Sequence, residues 1–401
     1  MKNCTFFSPT RLIIGRDTQR QAGALIKEYG GSRILVHHDS GYMKQSGFIN
    51  AVIKQLQNED LEVFELGGVV PNPHLSMVYE GIDLCKKNRI DFLLAIGGGS
   101  VIDSAKAIAM GIPYDGDVWD FFIEEKGVPR QIPRKSTPIG VILTIAATGS
   151  EASNSCVITK VDENLKRFCD NDINRPVFAI ENPEITMSLP KFQTACGIVD
   201  IMSHSFERYF TPEKETMSLT DYLCEAIFHT CMDCGRVLME SPTDYSARAS
   251  IMVASSLSHN GLTGIGRTGD WAAHFIEHEL SGEFNVTHGA GLAVIIPAWM
   301  KYVYASNKAL FMKWASRVMG VSTDYETPDR SILEAIRRLE DFFRFLGLPT
   351  RLIDMPDVGR IDDGCIERMA RRVRAVHEDG SIGWMRRLGT DDIVKIFKLA
   401  L

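Results

Sequence analysis

Long apolar segments are missing from this 401-residue chain, although apolar residues make up 45% of it. No run approaches the roughly 20 residues that a membrane-spanning helix needs. The N-terminal stretch MKNCTFFSPTRLIIG has no signal-peptide pattern, because its apolar pieces are short and are interrupted by Pro9, Thr10 and Arg11. The sequence therefore predicts a cytoplasmic protein without a membrane partner.

An excess of positive charge is also missing. The formal net charge is −7, which argues against nucleic acid as the main partner because nucleic-acid-binding proteins favour a basic face. The nine cysteines are odd in number and scattered, so we expect reduced thiols rather than a disulfide framework. Cys231 and Cys234 form a CxxC motif, but no second CxxC exists in the sequence. Ordinary helical cysteines are the better interpretation of that pair.

The first half of the chain alternates short apolar runs with stretches of helical periodicity. This alternation is typical of an α/β fold with a parallel sheet. The second half lacks it and reads as a series of helices separated by proline and glycine. The sequence therefore predicts an α/β domain over residues 1–188 and an all-helical domain over residues 189–401. The apolar runs that predict strands cover residues 11–15, 33–37, 61–66, 91–96, 137–143 and 177–180.

Three loops after predicted strands contain candidate ligand contacts. The turn Gly97–Ser100 leads into a helix whose first turn contains Asp103; such a turn lets a phosphate approach the backbone and the helix N-terminus. It is not a GxGxxG motif, and a simple tight turn fits equally well. Asp39 follows another strand and suits either an adenosine ribose or a turn. The hydroxyl-rich loop of residues 144–151 suits a flat ligand or an ordinary turn.

Histidines and one aspartate recur at helical spacing in the second half. Asp200 and His204 are four residues apart, as are His274 and His278, and His288 follows shortly after. Residues spaced in this way lie one turn apart on one helix face. Imidazoles and a carboxylate together suit a divalent cation. Packing and capping are the competing interpretation, and spacing alone does not say which of the five side chains would be ligands.

Several longer motifs occur together and in order. On these motifs the chain resembles the iron-containing alcohol dehydrogenases, most closely their butanol dehydrogenase branch. The motifs are VPNP at residues 70–73, GGGSVIDSAKAIA at 97–109, TGSE at 148–151, GIVDIMSH at 197–204, DWAAHFIEHEL at 270–280 and THGAGLAVIIPAWM at 287–300.

The resemblance implies a Rossmann-like dinucleotide-binding domain followed by an all-helical metal-binding domain, an architecture similar to that of dehydroquinate synthase, with a cleft between them. The matching metal ligands are Asp200, His204, His274 and His288. His278 matches the family's histidine beside nicotinamide and substrate, and we expect it to be catalytic as a proton relay. Fe(II) and Zn(II) both accept such a ligand set.

The resemblance also implies cofactor contacts in the first half. The chain departs from the usual TTAGTGSE loop, because Ile145 replaces a threonine and Ala147 a glycine. It also has Asp39 where many relatives have a glycine-rich stretch, and a carboxylate there would repel a 2′-phosphate. We therefore expect NAD(H), with NADP(H) as the alternative. The matching contact positions are Asn72, Gly97, Gly98, Ser100, Asp103, Thr144, Thr148 and Lys166.

The function that follows from the resemblance is a metal-dependent, NAD(P)(H)-linked alcohol dehydrogenase or aldehyde reductase acting on small primary alcohols and aldehydes. Trp271, Phe275 and Phe284 suit an apolar substrate, although core packing is the better interpretation for most of them. A homodimer or higher homo-oligomer is expected. The alternatives are a glycerol-type polyol dehydrogenase, a more remote dehydroquinate synthase-like lyase, or a non-catalytic metal-binding scaffold.

Overall fold

The chain forms two compact units, each assembled from separate segments. The sheet unit consists of Phe7–Leu189 and Thr243–Asn260. The helical unit consists of Met1–Phe6, Pro190–Pro242 and Gly261–Leu401. The structure is a computed structural model, and it describes residues 1–123, 131–215, 217–322, 324–359 and 361–401.

The strands belong to the sheet unit and form one parallel sheet and one hairpin. The sheet has the order β1-β8-β5-β4-β2-β3, and each of its neighbouring pairs is parallel. β6 and β7 pair with each other in antiparallel fashion. The strands are β1 (Arg11–Ile14), β2 (Arg33–Asp39), β3 (Glu62–Val69), β4 (Phe92–Gly97), β5 (Ile139–Leu143), β6 (Ser155–Lys160), β7 (Leu165–Asp170) and β8 (Phe178–Glu181).

Helices occur in both units. Those numbered α1 to α5 and α8 lie in the sheet unit, and the others lie in the helical unit. The helices are α1 (Ala22–Glu28), α2 (Tyr42–Gln45), α3 (Phe48–Asn58), α4 (Leu75–Asn88), α5 (Gly99–Gly111), α6 (Lys191–Tyr209), α7 (Ser218–Glu240), α8 (Tyr245–His259), α9 (Ala272–Phe284), α10 (His288–Val303), α11 (Lys308–Arg317), α12 (Pro328–Phe345), α13 (Asp363–Arg372) and α14 (Thr390–Leu399).

The central strands of the sheet are buried on both faces. Ile34 of β2 and Leu94 of β4 belong to an apolar cluster that also contains side chains of α1 and α3. Leu35 and Leu93, which point to the opposite face, are fully buried as well, and α5 packs beside β4. Continuous apolar runs are expected for parallel strands that are covered on both sides. The core therefore fixes the strand ends from which the candidate ligand loops emerge.

The helical unit is organised around α6 and α10, which pack against each other. Both are buried over most of their length. An aromatic cluster next to them includes Phe210 and Phe311, whose rings stack at 4.1 Å, and Phe206 and Phe228, whose rings stack at 4.3 Å. These contacts hold α6 in place, and α6 carries two of the candidate metal ligands.

The predicted fold class is confirmed: a parallel α/β part precedes a helical part. The predicted domain ranges 1–188 and 189–401 stay a prediction. In the structure α8 groups with the sheet unit although the chain on either side of it groups with the helical unit. Among the described residues, no helix is both long and apolar enough to cross a membrane.

Candidate metal centre and nucleotide site

Helix α6 presents Asp200 and His204 one turn apart on its buried face. The Nε2 atom of His204 lies 3.6 Å from Oδ1 of Asp200. The same Oδ1 lies 3.8 Å from Nε2 of His288. Ligand atoms of Asp200, His204 and His274 all lie within 4.8 Å of one another. The carboxylate and three imidazoles predicted as metal ligands therefore converge within the helical unit.

His274, on α9, is oriented by a buried glutamate. Its ring lies 5.2 Å from the ring of His204. Its Nδ1 donates to Oε1 of Glu207 at 3.1 Å, and its backbone N–H donates to the same oxygen at 3.1 Å. When Nδ1 carries the proton, Nε2 is left with a lone pair for a cation. Glu207 thus fixes both the tautomer and the direction of this imidazole.

His288 is the first residue of α10 and is oriented in the same way. Its Nδ1 contacts Oε2 of Glu277, a fully buried carboxylate on α9. The next residue, Gly289, allows α10 to begin close to α6, because a Cβ there would lie 2.1 Å from the carbonyl oxygen of Cys196. The glycine after His288 is therefore required by packing, and it sets where this imidazole enters the cluster.

His278 lies beside this cluster in a second group. Its ring is 5.7 Å from the ring of His288 and 6.5 Å from that of His274. Ligand atoms of Glu277, His278 and His288 also lie within 4.8 Å of one another. His288 connects this second group to the first, because its Nδ1 contacts Glu277 while its Nε2 lies 3.8 Å from Oδ1 of Asp200. The assignment of His278 to catalysis and the others to the metal remains a prediction.

The donor set fits a divalent cation. It combines three imidazoles with one carboxylate, and two of the imidazoles are held at Nδ1 by buried glutamates. Carboxylate–histidine–metal arrangements of this kind orient the ligand and raise its basicity. Packing alone would not require three imidazoles and a carboxylate to share one small volume.

In the sheet unit, the predicted glycine turn follows β4 as expected. Gly98 is the N-cap of α5, and Thr144, which follows β5, donates its N–H to Gly97 O at 3.1 Å. A Cβ on Gly99 would lie 2.5 Å from Oγ1 of Thr148. Glycine is therefore needed here because the loop after β5 lies directly on the turn. Ser100, in the first turn of α5, is only partly buried.

Asp103 has a structural role that the sequence left open. Its Oδ1 accepts from Ser150 Oγ at 2.5 Å, and its Oδ2 accepts from Val157 N at 3.0 Å. Burial raises the pKa of Asp103, while the nearby charges of Lys106 and Lys166 oppose that shift. Asp103 thus ties α5 to the loop before β6 and to β6 itself.

The other predicted cofactor contacts lie on different elements of the sheet unit. Asp39 ends β2, and its Oδ1 accepts from Gly41 N at 2.6 Å, which is the turn that the sequence offered as an alternative. Asn72 follows β3 with φ 54°. Lys166 is buried on β7. Because β2, β4 and β5 are parallel neighbours, Asp39, Gly97 and Thr144 lie along one edge of the sheet.

Sequence reasoning missed a buried polar network behind these loops. Lys106 is fully buried, and its Nζ donates to Ser150 Oγ at 2.9 Å and to Ser155 O at 2.8 Å. His259 of α8 donates from Nδ1 to Thr148 O at 2.7 Å. The sequence contained one signal for this network, which is the lysine within the largely apolar stretch VIDSAKAIA. A lysine that is buried in such a helix needs polar partners, because lysine is seldom fully buried without them. The His259 contact has no local sequence signal.

The same region contains two fully buried carboxyl groups. Ser256 Oγ lies 2.9 Å from Oε1 of Glu151 and 2.6 Å from Oε1 of Glu181. Since a hydroxyl has one proton to donate, it satisfies both contacts only when one carboxyl is protonated and donates to it. Burial, reinforced by the charge of Glu151, raises the pKa of Glu181 to about 8.

Comparisons with known proteins agree with this architecture. Residues 9–183 match the family model "Iron-containing alcohol dehydrogenase", and residues 194–401 match "Fe-containing alcohol dehydrogenase family, C-terminal". The chain is 38% identical over 391 residues to NADH-dependent butanol dehydrogenase A of Clostridium acetobutylicum, covering 97% of each chain. It is 32% identical to the NADPH-dependent aldehyde reductase YqhD of Escherichia coli, covering 88% of this chain and 89% of that one.

A solved structure gives the same result. The crystal structure of NADH-dependent butanol dehydrogenase A from Thermotoga maritima superposes with a TM-score of 0.93 at 35% identity, and it covers 100% of this chain and 99% of that one. The family resemblance inferred from the motifs is confirmed. The chain belongs to the iron-containing alcohol dehydrogenase family and is an oxidoreductase.

Proposed function

We propose that this protein interconverts small primary alcohols and aldehydes of the butanol and butanal class, with NAD(H) as the hydride carrier and a divalent metal in the helical unit. The observation that carries the proposal is the convergence of Asp200, His204, His274 and His288. Two relatives, a butanol dehydrogenase and an aldehyde reductase, support the substrate class.

The proposed metal ligands also suit the charge change in the reaction. A divalent cation bound there would supply a Lewis acid that polarises a carbonyl or lowers the pKa of an alcohol. The three imidazoles are neutral as ligands and Asp200 contributes one negative charge, so the site keeps a net positive charge that favours an anionic oxygen. Glu207 and Glu277 hold two of the imidazoles at Nδ1 and keep their Nε2 atoms directed at the cluster.

His278 is the proposed proton carrier. Its ring lies 5.7 Å from that of His288, close to the proposed metal ligands. The four proposed ligands complete a metal site without it. An imidazole titrates near neutral pH and can pass a proton from one nitrogen to solvent or to a hydroxyl. In the direction of alcohol oxidation, the ring accepts the hydroxyl proton.

The proposed nucleotide site follows one edge of the parallel sheet. A glycine turn at the N-terminus of a helix such as α5 suits a phosphate, because backbone N–H groups point at it. The loop containing Thr144 and Thr148 lies against that turn. Asp39 uses Oδ1 in a turn; its other carboxylate oxygen suits a ribose hydroxyl and disfavours a 2′-phosphate. NAD(H) is therefore proposed over NADP(H). Asn72, Ser100 and Lys166 are further proposed contacts.

Three further expectations accompany this proposal. The metal is Fe(II) or Zn(II), since both accept nitrogen and oxygen donors. The protein works in the cytoplasm. It assembles as a homodimer or a larger homo-oligomer.

Metal analysis of the purified protein, paired with an aldehyde panel, tests the function. Elemental analysis measures the metal per chain, and loss of absorbance of NADH or NADPH follows reduction of butanal, shorter and longer aldehydes, and dihydroxyacetone. We expect about one metal ion per chain and faster turnover of butanal with NADH than with NADPH.

Two outcomes would contradict the proposal. Preference for dihydroxyacetone over butanal would indicate a polyol dehydrogenase. Bound metal without turnover of any aldehyde or ketone with either cofactor would indicate a metal-binding scaffold. Removal of metal by a chelator, followed by readdition of Fe(II) or Zn(II), provides the control that links turnover to the metal.

A further inference from the structure

Trp271 has an unusual backbone conformation. It is the N-cap of α9, three residues before His274, and has φ 63° and ψ 2°. N-cap residues ordinarily have extended backbone angles and short polar side chains. A bulky residue in the left-handed region is rare, because its Cβ crowds the neighbouring carbonyl oxygen. Such strain persists only where the surrounding structure enforces it, and it concentrates at functional sites.

The chain before and after Trp271 is fixed by hydrogen bonds within the helical unit. Asp270 donates its N–H to Glu207 O at 2.7 Å. The buried Asp270 carboxylate accepts from the N–H groups of Trp384 and Met385, each at 2.7 Å, and from that of Ala272 at 3.2 Å. These bonds, which we call the Asp270 clamp, fix Asp270 and Ala272 on either side of Trp271 and thereby enforce its strained conformation.

Glu207 links this clamp to the metal cluster. Its backbone carbonyl accepts from Asp270, and its carboxylate accepts from both the N–H and the Nδ1 of His274. Trp271 therefore lies between Asp270 and His274, which both form hydrogen bonds to Glu207. Through the second of these contacts, Glu207 also orients a proposed metal ligand.

The clamp places the indole against the candidate metal ligands. Its ring lies 5.3 Å from the ring of His274 and 6.3 Å from that of His204. The guanidinium of Arg208 lies 4.6 Å from the indole centroid. A Cβ on Gly269 would lie 2.5 Å from Nε1 of the indole, so glycine leaves the room that the ring occupies. The side chain is only partly buried.

We infer that Trp271 determines substrate specificity: its indole forms an apolar wall beside the proposed metal ligands and selects unbranched apolar aldehydes over branched or polyhydroxylated ones. This inference rests on the proposed function for its substrate class. A flat, rigid ring accommodates an extended methylene chain, but it leaves no space for a branch and its apolar face offers a polyol no hydrogen bond. The backbone strain is retained because an extended N-cap would direct the side chain elsewhere.

The test uses two replacements and one matched control. Trp271→Phe keeps an aromatic ring of smaller size. Trp271→Asn removes the ring but tolerates the left-handed backbone, so it separates the indole from the strain. Trp384→Phe is the control, because its side chain is exposed and packs on His377 rather than on the cluster. Circular dichroism and elemental analysis verify that each variant is folded and binds metal.

The first measurement needs no turnover. Co(II) is titrated into metal-free protein while tryptophan fluorescence is recorded, since a paramagnetic ion quenches a nearby indole. We expect strong quenching in the wild type and in Trp384→Phe, and loss of most of it in both Trp271 variants with unchanged Co(II) stoichiometry. Equal quenching in all four proteins would overturn the placement of the indole. Loss of Co(II) binding in Trp271→Phe would instead make Trp271 a support for the ligands.

The second measurement is the ratio of kcat/KM for butanal to that for 3-methylbutanal and for glyceraldehyde. We expect Trp271→Asn to lower both ratios about tenfold or more, the size of a small steric change in a substrate pocket, and Trp271→Phe to lower them less. Unchanged ratios would overturn the selective role. If the wild type reduces no aldehyde, the proposed function fails, and Co(II) quenching still decides whether the indole lies beside the metal.

Discussion

The two units satisfy their polar side chains in different ways. In the sheet unit, Asp103 and Lys106 form hydrogen bonds mainly to other parts of the same unit. In the helical unit, His274 and His288 each use Nδ1 for a buried glutamate, and their other nitrogens face a shared point. The polar groups of the sheet unit therefore satisfy one another, whereas those of the histidine cluster leave nitrogen and oxygen atoms that could coordinate a cation.

This difference separates two kinds of motif. The stretch GGGSVIDSAKAIA builds the shape of the proposed nucleotide-binding turn, because its glycines let the loop after β5 pack closely and Asp103 ties α5 to β6. The histidine motifs contain the proposed metal ligands themselves. Mutations in the sheet unit should therefore weaken binding through distortion, while mutations of the histidines should remove a chemical function outright.

The largest expected effect separates His204 from His278. His204→Ala removes a donor at the centre of the cluster, so we expect loss of bound metal and of turnover. His278→Ala should retain the metal and slow turnover by about 10²–10⁴-fold, the usual contribution of a general acid or base. Elemental analysis and NADH kinetics on both variants measure this. Metal loss in His278→Ala together with metal retention in His204→Ala would reverse the two roles.

A smaller effect is expected for Gly99→Ala in the sheet unit. The added Cβ would lie 2.4 Å from Cγ2 of Thr148, and overpacking of this kind costs about 1–3 kcal/mol. We expect NADH to bind on the order of tenfold more weakly, with the metal content unchanged. Fluorescence titration with NADH measures the affinity. Gly359→Ala, where a Cβ meets nothing within 4 Å, is the control, and an equal loss of affinity in both would contradict the prediction.

The smallest effect concerns the buried carboxyl pair. The pKa of Glu181 in the folded chain is raised to about 8 from an ordinary value of 4.5. Protonation therefore favours the folded state, and this stabilisation is lost as the pH rises through about 8. Glu181→Gln mimics the protonated form, so its melting temperature should fall less than that of the wild type between about pH 6 and about pH 9.

Thermal melts of the wild type, Glu181→Gln and Glu163→Gln at both pH values test this. Glu163 is half exposed and forms a surface ion pair with Lys160, so its removal should leave the pH dependence of the wild type intact. Parallel pH profiles for the wild type and Glu181→Gln would contradict the shared-proton interpretation of the Ser256 contacts.

Much of the fold follows from local sequence patterns. The apolar runs at residues 33–37, 91–96 and 177–180 correspond to β2, β4 and β8 within a few residues, because strands buried on both faces must be continuously apolar. The β6–β7 hairpin was missed. Its residues neither alternate cleanly nor form an apolar run, and its position depends on distant contacts such as Asp103 with Val157.

The candidate metal centre was also partly predictable from local sequence patterns. Helical spacing brings Asp200 and His204 together, and His274 with His278, but it says nothing about which imidazole nitrogens are held by glutamates. Glu207 and Glu277 occur in ordinary helical contexts, and only the packing of α6, α9 and α10 gives them partners. The left-handed backbone of Trp271 was equally invisible, since it arises from contacts more than a hundred residues apart.

The placement of α8 has a consequence for biosynthesis. The hydroxyls of Ser255 and Ser256 on α8 donate to the buried Glu151, so the sheet unit is complete only after the 243–260 segment has been synthesised. A fragment ending near residue 188 would lose the packing of α8 against β8 and against residues 183–188. Attempts to express the sheet unit alone should therefore graft the 243–260 segment onto it, and exchange of whole units between relatives should transfer that segment with the sheet.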